Sequence, residues 1–150
     1  AIYPTVWGLG QIFTGKMSDL YRKKSMLFWG MLLQGIAIIA LPFSEPFFLL
    51  AGLSALIGVG TALVYPTFLS AIASATPPAE RAESIGTFRL WRDLGYAIGA
   101  IISGVVADLF GIQAAILLTG GLTLLSAGII RFRMPDQPIT EIRSPDEDKN

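Results

Sequence analysis

Charge placement constrains this 150-residue chain more than any other feature. Residues 25–43, 47–76 and 112–130 carry no formally charged side chain, and residues 94–110 carry one, Asp108. A hydrocarbon core about 30 Å thick is crossed by roughly 20 helical residues rising 1.5 Å each, so runs of this length suit membrane spans. Composition agrees: 53% of residues are apolar and 15% charged, against about 45–50% and about 25% in ordinary globular domains. Strands are not expected. No segment shows the roughly ten-residue alternation of a membrane barrel, and an open sheet leaves backbone groups unpaired in lipid.

The expected fold is therefore all-α, with five transmembrane helices over residues 1–18, 25–43, 47–76, 84–110 and 112–132. The fourth has a polar helical lead-in from about residue 79. Ser44-Glu45-Pro46, Pro77-Pro78 and Gly111 mark turns between spans. The first run is slightly short and begins with Ala, so the chain reads as cut from a longer polypeptide whose N-terminal helices are a partner. Basic residues set the orientation. Lys16, Arg22, Lys23 and Lys24 flank the first connection, Arg81, Arg89 and Arg92 the third, and Arg131, Arg133, Arg143 and Lys149 follow the last helix. These groups hold all 11 Lys and Arg, and the second and fourth connections have none. The asymmetry predicts that the C-terminus is cytoplasmic. Residues 134–150, rich in proline and charge, are expected to form a disordered cytoplasmic tail.

Several functions are excluded or unsupported. Net charge is zero, so no field points to nucleic acid. With no Cys and no His, zinc sites, disulfides and Cys-His catalysis are absent, and neither metal nor cofactor is expected. No phosphate-binding glycine loop followed by Lys and Ser/Thr appears. Ser70 and Ser74 have no His partner, and membrane serines commonly bond their own backbone, so no enzyme is expected.

The first connection holds Gly15, Asp19, Lys23 and Lys24. Asp19 at a helix C-terminus and lysines at a helix N-terminus each oppose the local dipole. The lysines follow from topology; Asp19 needs a partner outside the hairpin or else is a solvated loop acid. A glycine, three residues, an aspartate and then paired basic residues resemble the loop signature of the major facilitator superfamily, between the second and third helices of each six-helix half. Leu20 stands where a basic residue is usual and Arg22 where glycine is usual. The resemblance implies a partial major-facilitator-type bundle, and for Gly15, Asp19, Lys23 and Lys24 a role in gating the cytoplasmic side.

The third connection carries an interfacial charge cluster, Arg89, Arg92 and Asp93, beside Trp91 and Tyr96. Arg89 and Asp93 are four residues apart and are able to pair on one helical face, though this order opposes the dipole. The segment resembles the entry to the family's eleventh helix. It fits an interfacial anchor and a gate equally. Further along, Gly95, Gly99 and Ser103 recur every fourth residue, a spacing that permits close helix approach.

The third helix is the expected functional element. Pro66 removes a backbone bond and frees the carbonyl of Ala62, which neighbours such as Thr67 are able to satisfy. If this is the family's tenth helix, the resemblance makes it cavity-lining. Thr61, Tyr65, Pro66 and Thr67 are then substrate-cavity candidates, with Gln11 on the first helix a weaker one. The resemblance favours the C-terminal half, helices eight to twelve. The family's first half commonly carries an arginine in its fourth helix, missing here, and a proline after the second glycine in its fifth, where this chain has Ala100 after Gly99.

The resemblance implies a secondary active transporter of the bacterial inner membrane, moving a small-molecule substrate by alternating access with proton or ion coupling. No charged side chain sits at mid-membrane, so a coupling carboxylate is expected outside this chain. The rival is a small helical membrane subunit with an assembly or regulatory role and no transport.

Overall fold

The computed structural model describes residues 1–20 and 22–135, and for residues 15–20 the backbone alone. The expected tail lies almost wholly outside the described residues. Five α-helices account for nearly all of the rest: α1 (Ile2–Leu20), α2 (Lys23–Ala40), α3 (Phe47–Ala75), α4 (Arg81–Phe110) and α5 (Ile112–Arg133).

The breaks have local causes. α2 tightens into a 3-10 turn at Leu41–Phe43, with Pro42 in its first turn. Pro46 caps α3 in extended geometry. Thr76, which precedes a proline and so is disfavoured in the helical region, ends α3 at ψ 137°. Gly111 joins α4 to α5 at φ 89°, a left-handed value that side chains rarely adopt.

Four segments are long and apolar enough to cross a membrane: Lys23–Phe43, Phe47–Ala75, Pro78–Phe110 and Ile112–Arg133. α1 is not among them. Its 19 residues include Pro4, Gln11, Lys16 and Asp19, which dilute its apolar content.

α3 is the centre of the packing, set between α1 and α2, while α5 packs on the other side of α2. Glycine lets the backbones approach. A Cβ on Gly60 would lie 2.8 Å from the Gly30 carbonyl oxygen, and one on Gly30 would lie 3.1 Å from that of Gly60. Gly58 faces the Tyr3 carbonyl, and Gly10 faces Ala62. On the far side of α2, Gly35 meets Leu124 and Gly120 meets Ile39. These registers run α1 parallel to α3, and α2 antiparallel to both α3 and α5. Arg22 and Lys23 at the start of α2, Arg81 at the start of α4, and Arg131 and Arg133 at the end of α5 therefore gather at one end of the bundle, called here the basic end.

Pro66 stays inside a continuous α3. The Ala62 carbonyl that it deprives of a helical partner accepts a buried 2.7 Å hydrogen bond from the Thr14 hydroxyl of α1. The freed carbonyl thus serves a helix–helix seam, and Thr67 instead donates to Leu63 of its own helix at 2.6 Å.

α4 is different. It has no buried residue. The close approach expected at Gly95 and Gly99 is not made among the described residues, because nothing lies within 4 Å of a Cβ built at either. That face opens onto a groove.

Two stability measurements check this packing. Gly60→Ala forces backbone apart, and its expected cost is about 1–3 kcal/mol, read as a lowered unfolding midpoint in detergent. Gly52→Ala, in open space on the same helix, should leave the midpoint unchanged or raise it. Thr14→Val strands the Ala62 carbonyl and should cost about 1 kcal/mol. In a Pro66→Ala background the restored helical bond should make the same substitution cheaper, so a double-mutant cycle with no coupling would refute the seam.

Candidate functional site

Tyr65 precedes Pro66 on α3 and points away from the α1 seam, towards α4. Its hydroxyl accepts a 3.1 Å hydrogen bond from an Arg92 guanidinium nitrogen. The guanidinium carbon also lies 5.7 Å from the Tyr65 ring centroid, within cation–π range. Arg92 then reaches Asp93, its chain neighbour, at 2.8 Å. The arginine is thus held on one side by a phenol and on the other by a carboxylate, which lowers the cost of a charge at the edge of an apolar span. Nearer the basic end, Phe68 and Phe88 pack with ring centroids 5.7 Å apart. At the basic end itself, Arg81 of α4 donates to the carbonyl of Thr76, the C-cap of α3, at 3.4 Å. Beyond Arg92, towards Gly111, the glycines of α4 meet nothing.

The sequence singled out Tyr65 and Arg92 separately, and the structure brings them together. The four-residue spacing permits a different ion pair from the one the structure holds. Asp93 pairs with Arg92 and not with Arg89, which is exposed. Because Arg92 is already turned to Tyr65, the adjacent carboxylate is the nearer partner.

The other cavity candidates are dispersed. The Thr61 hydroxyl donates to the Ile57 carbonyl at 2.8 Å and accepts from Gln34 of α2 at 3.2 Å, so it sits in the α2–α3 interface. Thr67 is fully buried. Gln11 and Pro66 are half-buried. Of the loop residues, Lys23 is informative: its ammonium donates to the Ser70 carbonyl at 3.2 Å and to the Ser74 hydroxyl. The charge that opposes the dipole of α2 thereby meets the carbonyl end of α3, where a cation is favoured. Lys24 is half-buried, and for Gly15 and Asp19 only the backbone is described.

A groove of about 690 Å³ runs between α4 and α5, and α2 contributes Met31 to it. Arg92 stands at one end as the charged residue of its lining, and Gly95, Gly99 and Ser103 face Thr119, Thr123 and Ser126. Among the described residues read from sequence as site candidates, only Arg92 lines it.

Sequence reasoning missed Gln34, Thr14 and the α5 hydroxyls. Gln34 had a signal, as a lone amide inside the apolar run of α2. Thr14 had a weaker one, since its value depends on which helix lies beside Pro66.

Comparison with known proteins supplies the family. The family model of the Major Facilitator Superfamily matches residues 1–149. Similar proteins include an uncharacterized MFS-type transporter of Methanocaldococcus jannaschii, 30% identical over 128 residues, covering 85% of this chain and 33% of that protein. The 4-hydroxybenzoate transporter PcaK of Pseudomonas aeruginosa is 28% identical over 127 residues, covering 85% of this chain and 28% of its own. The multi-drug resistance efflux pump PmrA of Streptococcus pneumoniae is 30% identical over 127 residues, with 85% and 30% covered. This chain spans about a third or less of the length of these curated relatives. Its family is one of transporters and not of enzymes, and the chain is an integral membrane protein with helical spans. The chain belongs to the major facilitator superfamily.

Proposed function

We propose that this chain supplies the last five helices of a secondary active transporter, which moves a small organic solute by alternating access with proton or ion coupling. In this reading α1 is a fifth span, the basic end is cytoplasmic, and the membrane is a bacterial inner membrane. The match of the family model to residues 1–149 supports transport. The names of the relatives, a 4-hydroxybenzoate transporter and a multi-drug efflux pump, support an organic solute. The sorting of basic residues to one end supports the orientation.

The observation that carries the mechanism is the Tyr65–Arg92 bridge. α3 and α4 touch near the basic end and little elsewhere, so this contact controls whether the space between them is closed there. Pro66, inside the continuous α3, offers a place for the helix to bend as the contact forms and breaks. Tyr65 is the candidate that meets both the cavity side of α3 and the gate, with Thr61, Pro66, Thr67 and Gln11 as its supports on α3 and α1. Gly15, Asp19, Lys23 and Lys24 form the loop gate, in which Lys23 ties α2 to the end of α3. The described spans hold no mid-membrane carboxylate, Asp108 being two residues from the end of α4. The coupling group accordingly belongs to the part of the protein outside this chain.

The test is flux in proteoliposomes made with the full-length protein, using 4-hydroxybenzoate and ethidium with and without a pH gradient. Gradient-stimulated movement of at least one is expected; no movement above empty vesicles across a wider solute panel would refute the reading. Tyr65→Phe keeps the ring and removes the hydroxyl contact. It should change KM or rate by about tenfold, equivalent to about 1.4 kcal/mol, whereas unchanged kinetics would return Tyr65 to plain packing. Asp19→Asn should impair flux while leaving membrane insertion intact, and wild-type flux would remove Asp19 from the gate.

A further inference from the structure

Lys23 is engaged by α3, but the other basic residues where α2 begins and α5 ends have no such anchor to explain them. Arg22 and Arg131 are exposed, and among the described residues no carboxylate pairs with either, the ion pair at this end being Arg92 with Asp93 on α4. We propose that the seam between α2 and α5 holds an anionic phospholipid. Arg22, Lys24 and Arg131 bind its phosphate diester, Trp29 lies at the level of its esters, and an acyl chain runs over Gly128 and Gly121. The proposal needs only a helical membrane protein and is independent of the transport reading.

The register of the pair places the charges. Gly35 meets Leu124 and Gly120 meets Ile39, so these residues lie on the facing sides of two antiparallel helices. Three helical turns take about eleven residues. Three turns from Gly35 towards the basic end is Lys24, and three turns from Gly120 the same way is Arg131. Like charges therefore converge at the mouth of the seam, with Arg22 beside them as the N-cap of α2. Arg133 does not join them. It is turned about 160° from Arg131 and shares the face of Ser126, on the side of the α4 groove. The carbonyl end of α5 favours both arginines, yet only one closes on α2.

The two flanks of the seam differ. One carries Met31, Thr123 and Ser126 and is a wall of the α4 groove. Trp29 is turned about 160° from Met31, and Gly128 and Gly121 about 140° from Thr123 and Ser126, so all three share the flank away from α4. Trp29 is 61% exposed there, packed edge-on against Phe28 with ring centroids 5.4 Å apart. It stands about 7.5 Å deeper than Lys24, and an indole is favoured where headgroups give way to hydrocarbon. Nothing lies within 4 Å of a Cβ built at Gly128 or Gly121. These notches sit one beneath the other, about 10 Å apart, and form a channel leading down from the charges. Guanidinium groups offer paired donors to a phosphate diester, and basic pockets between helices recognise anionic headgroups. A soluble anion would use the charges and leave the channel empty, whereas a lipid uses both.

Trp29 is its own reporter. The full-length protein, with every other tryptophan replaced by phenylalanine, would be reconstituted in phosphatidylcholine vesicles containing lipid brominated near the top of its chains. At equal mole fraction, brominated phosphatidylglycerol should quench Trp29 at least about threefold more than brominated phosphatidylcholine. Arg22→Gln combined with Arg131→Gln should abolish that preference, and Arg133→Gln, at the same end but on the other flank, should keep it. Native mass spectrometry of the protein with its tryptophans intact gives a second measure. Retained phosphatidylglycerol should fall at least about threefold in the double variant and stay unchanged in Arg133→Gln. Equal quenching by the two lipids, or an equal loss in Arg133→Gln, would overturn the proposal in favour of diffuse surface charge. Loss of the preference on adding inorganic phosphate would overturn it in favour of a soluble anion. Trp29 quenched by neither lipid would also overturn it, because another helix or a second copy of the protein then covers the seam.

Discussion

No water competes for a backbone carbonyl inside hydrocarbon, so the oxygen that Pro66 leaves without its helical donor has to be claimed by a neighbour. Thr14 claims it. That bond fixes α1 against α3 at one height and one rotation, and Gly10 and Gly58, close to it along the same seam, let the helices approach near enough for it to form. A proline that would cost about 3 kcal/mol in an isolated helix thereby becomes a device for joining two.

The remaining contacts follow the same economy of polar groups. Threonine and serine hydroxyls on α3 and α5 donate mostly to their own helices, four residues back, which makes them safe in lipid without making them specific. Specificity comes from the few that reach across, namely Thr14 to Ala62, Gln34 to Thr61, Lys23 to Ser70 and Arg92 to Tyr65. Lys23 illustrates how a local misfit is resolved at longer range. Its charge is wrong for the start of α2 and right for the end of α3, and only their antiparallel packing brings the two together.

These distinctions decide how much was readable in advance. The all-helical character was legible because hydrocarbon allows few alternatives to a helix, and the Pro-rich and glycine turns where the helices break are chemical in origin. The freed carbonyl of Ala62 was legible from Pro66 alone, but its partner was not, since nothing local states which helix faces it. The charge pairing was open for a related reason. Spacing along α4 permits Arg89 with Asp93, whereas the tertiary contact to Tyr65 turns Arg92 instead and brings it within reach of Asp93. The stripe of Gly95, Gly99 and Ser103 advertised a packing face, and sequence gave no way to tell whether its partner lay within these residues.

α3 itself is apolar all round, as a helix with neighbours on several sides should be. At about 100° per residue, Gly58, Ala62 and Pro66 form the face towards α1, and Gly60 and Val64 lie nearly opposite, against Gly30 of α2. Tyr65 and Phe68 fall on a third face, about a quarter-turn from both, and meet Arg92 and Phe88. The fourth quarter holds Leu56 and Val59, which are 41% and 40% exposed. Two faces are locked by glycine contacts and a buried hydrogen bond, while the third rests on one half-buried arginine and one aromatic pair. If α3 moves relative to any neighbour, α4 is the one it leaves at least cost, and Tyr65 is the residue that feels the separation first.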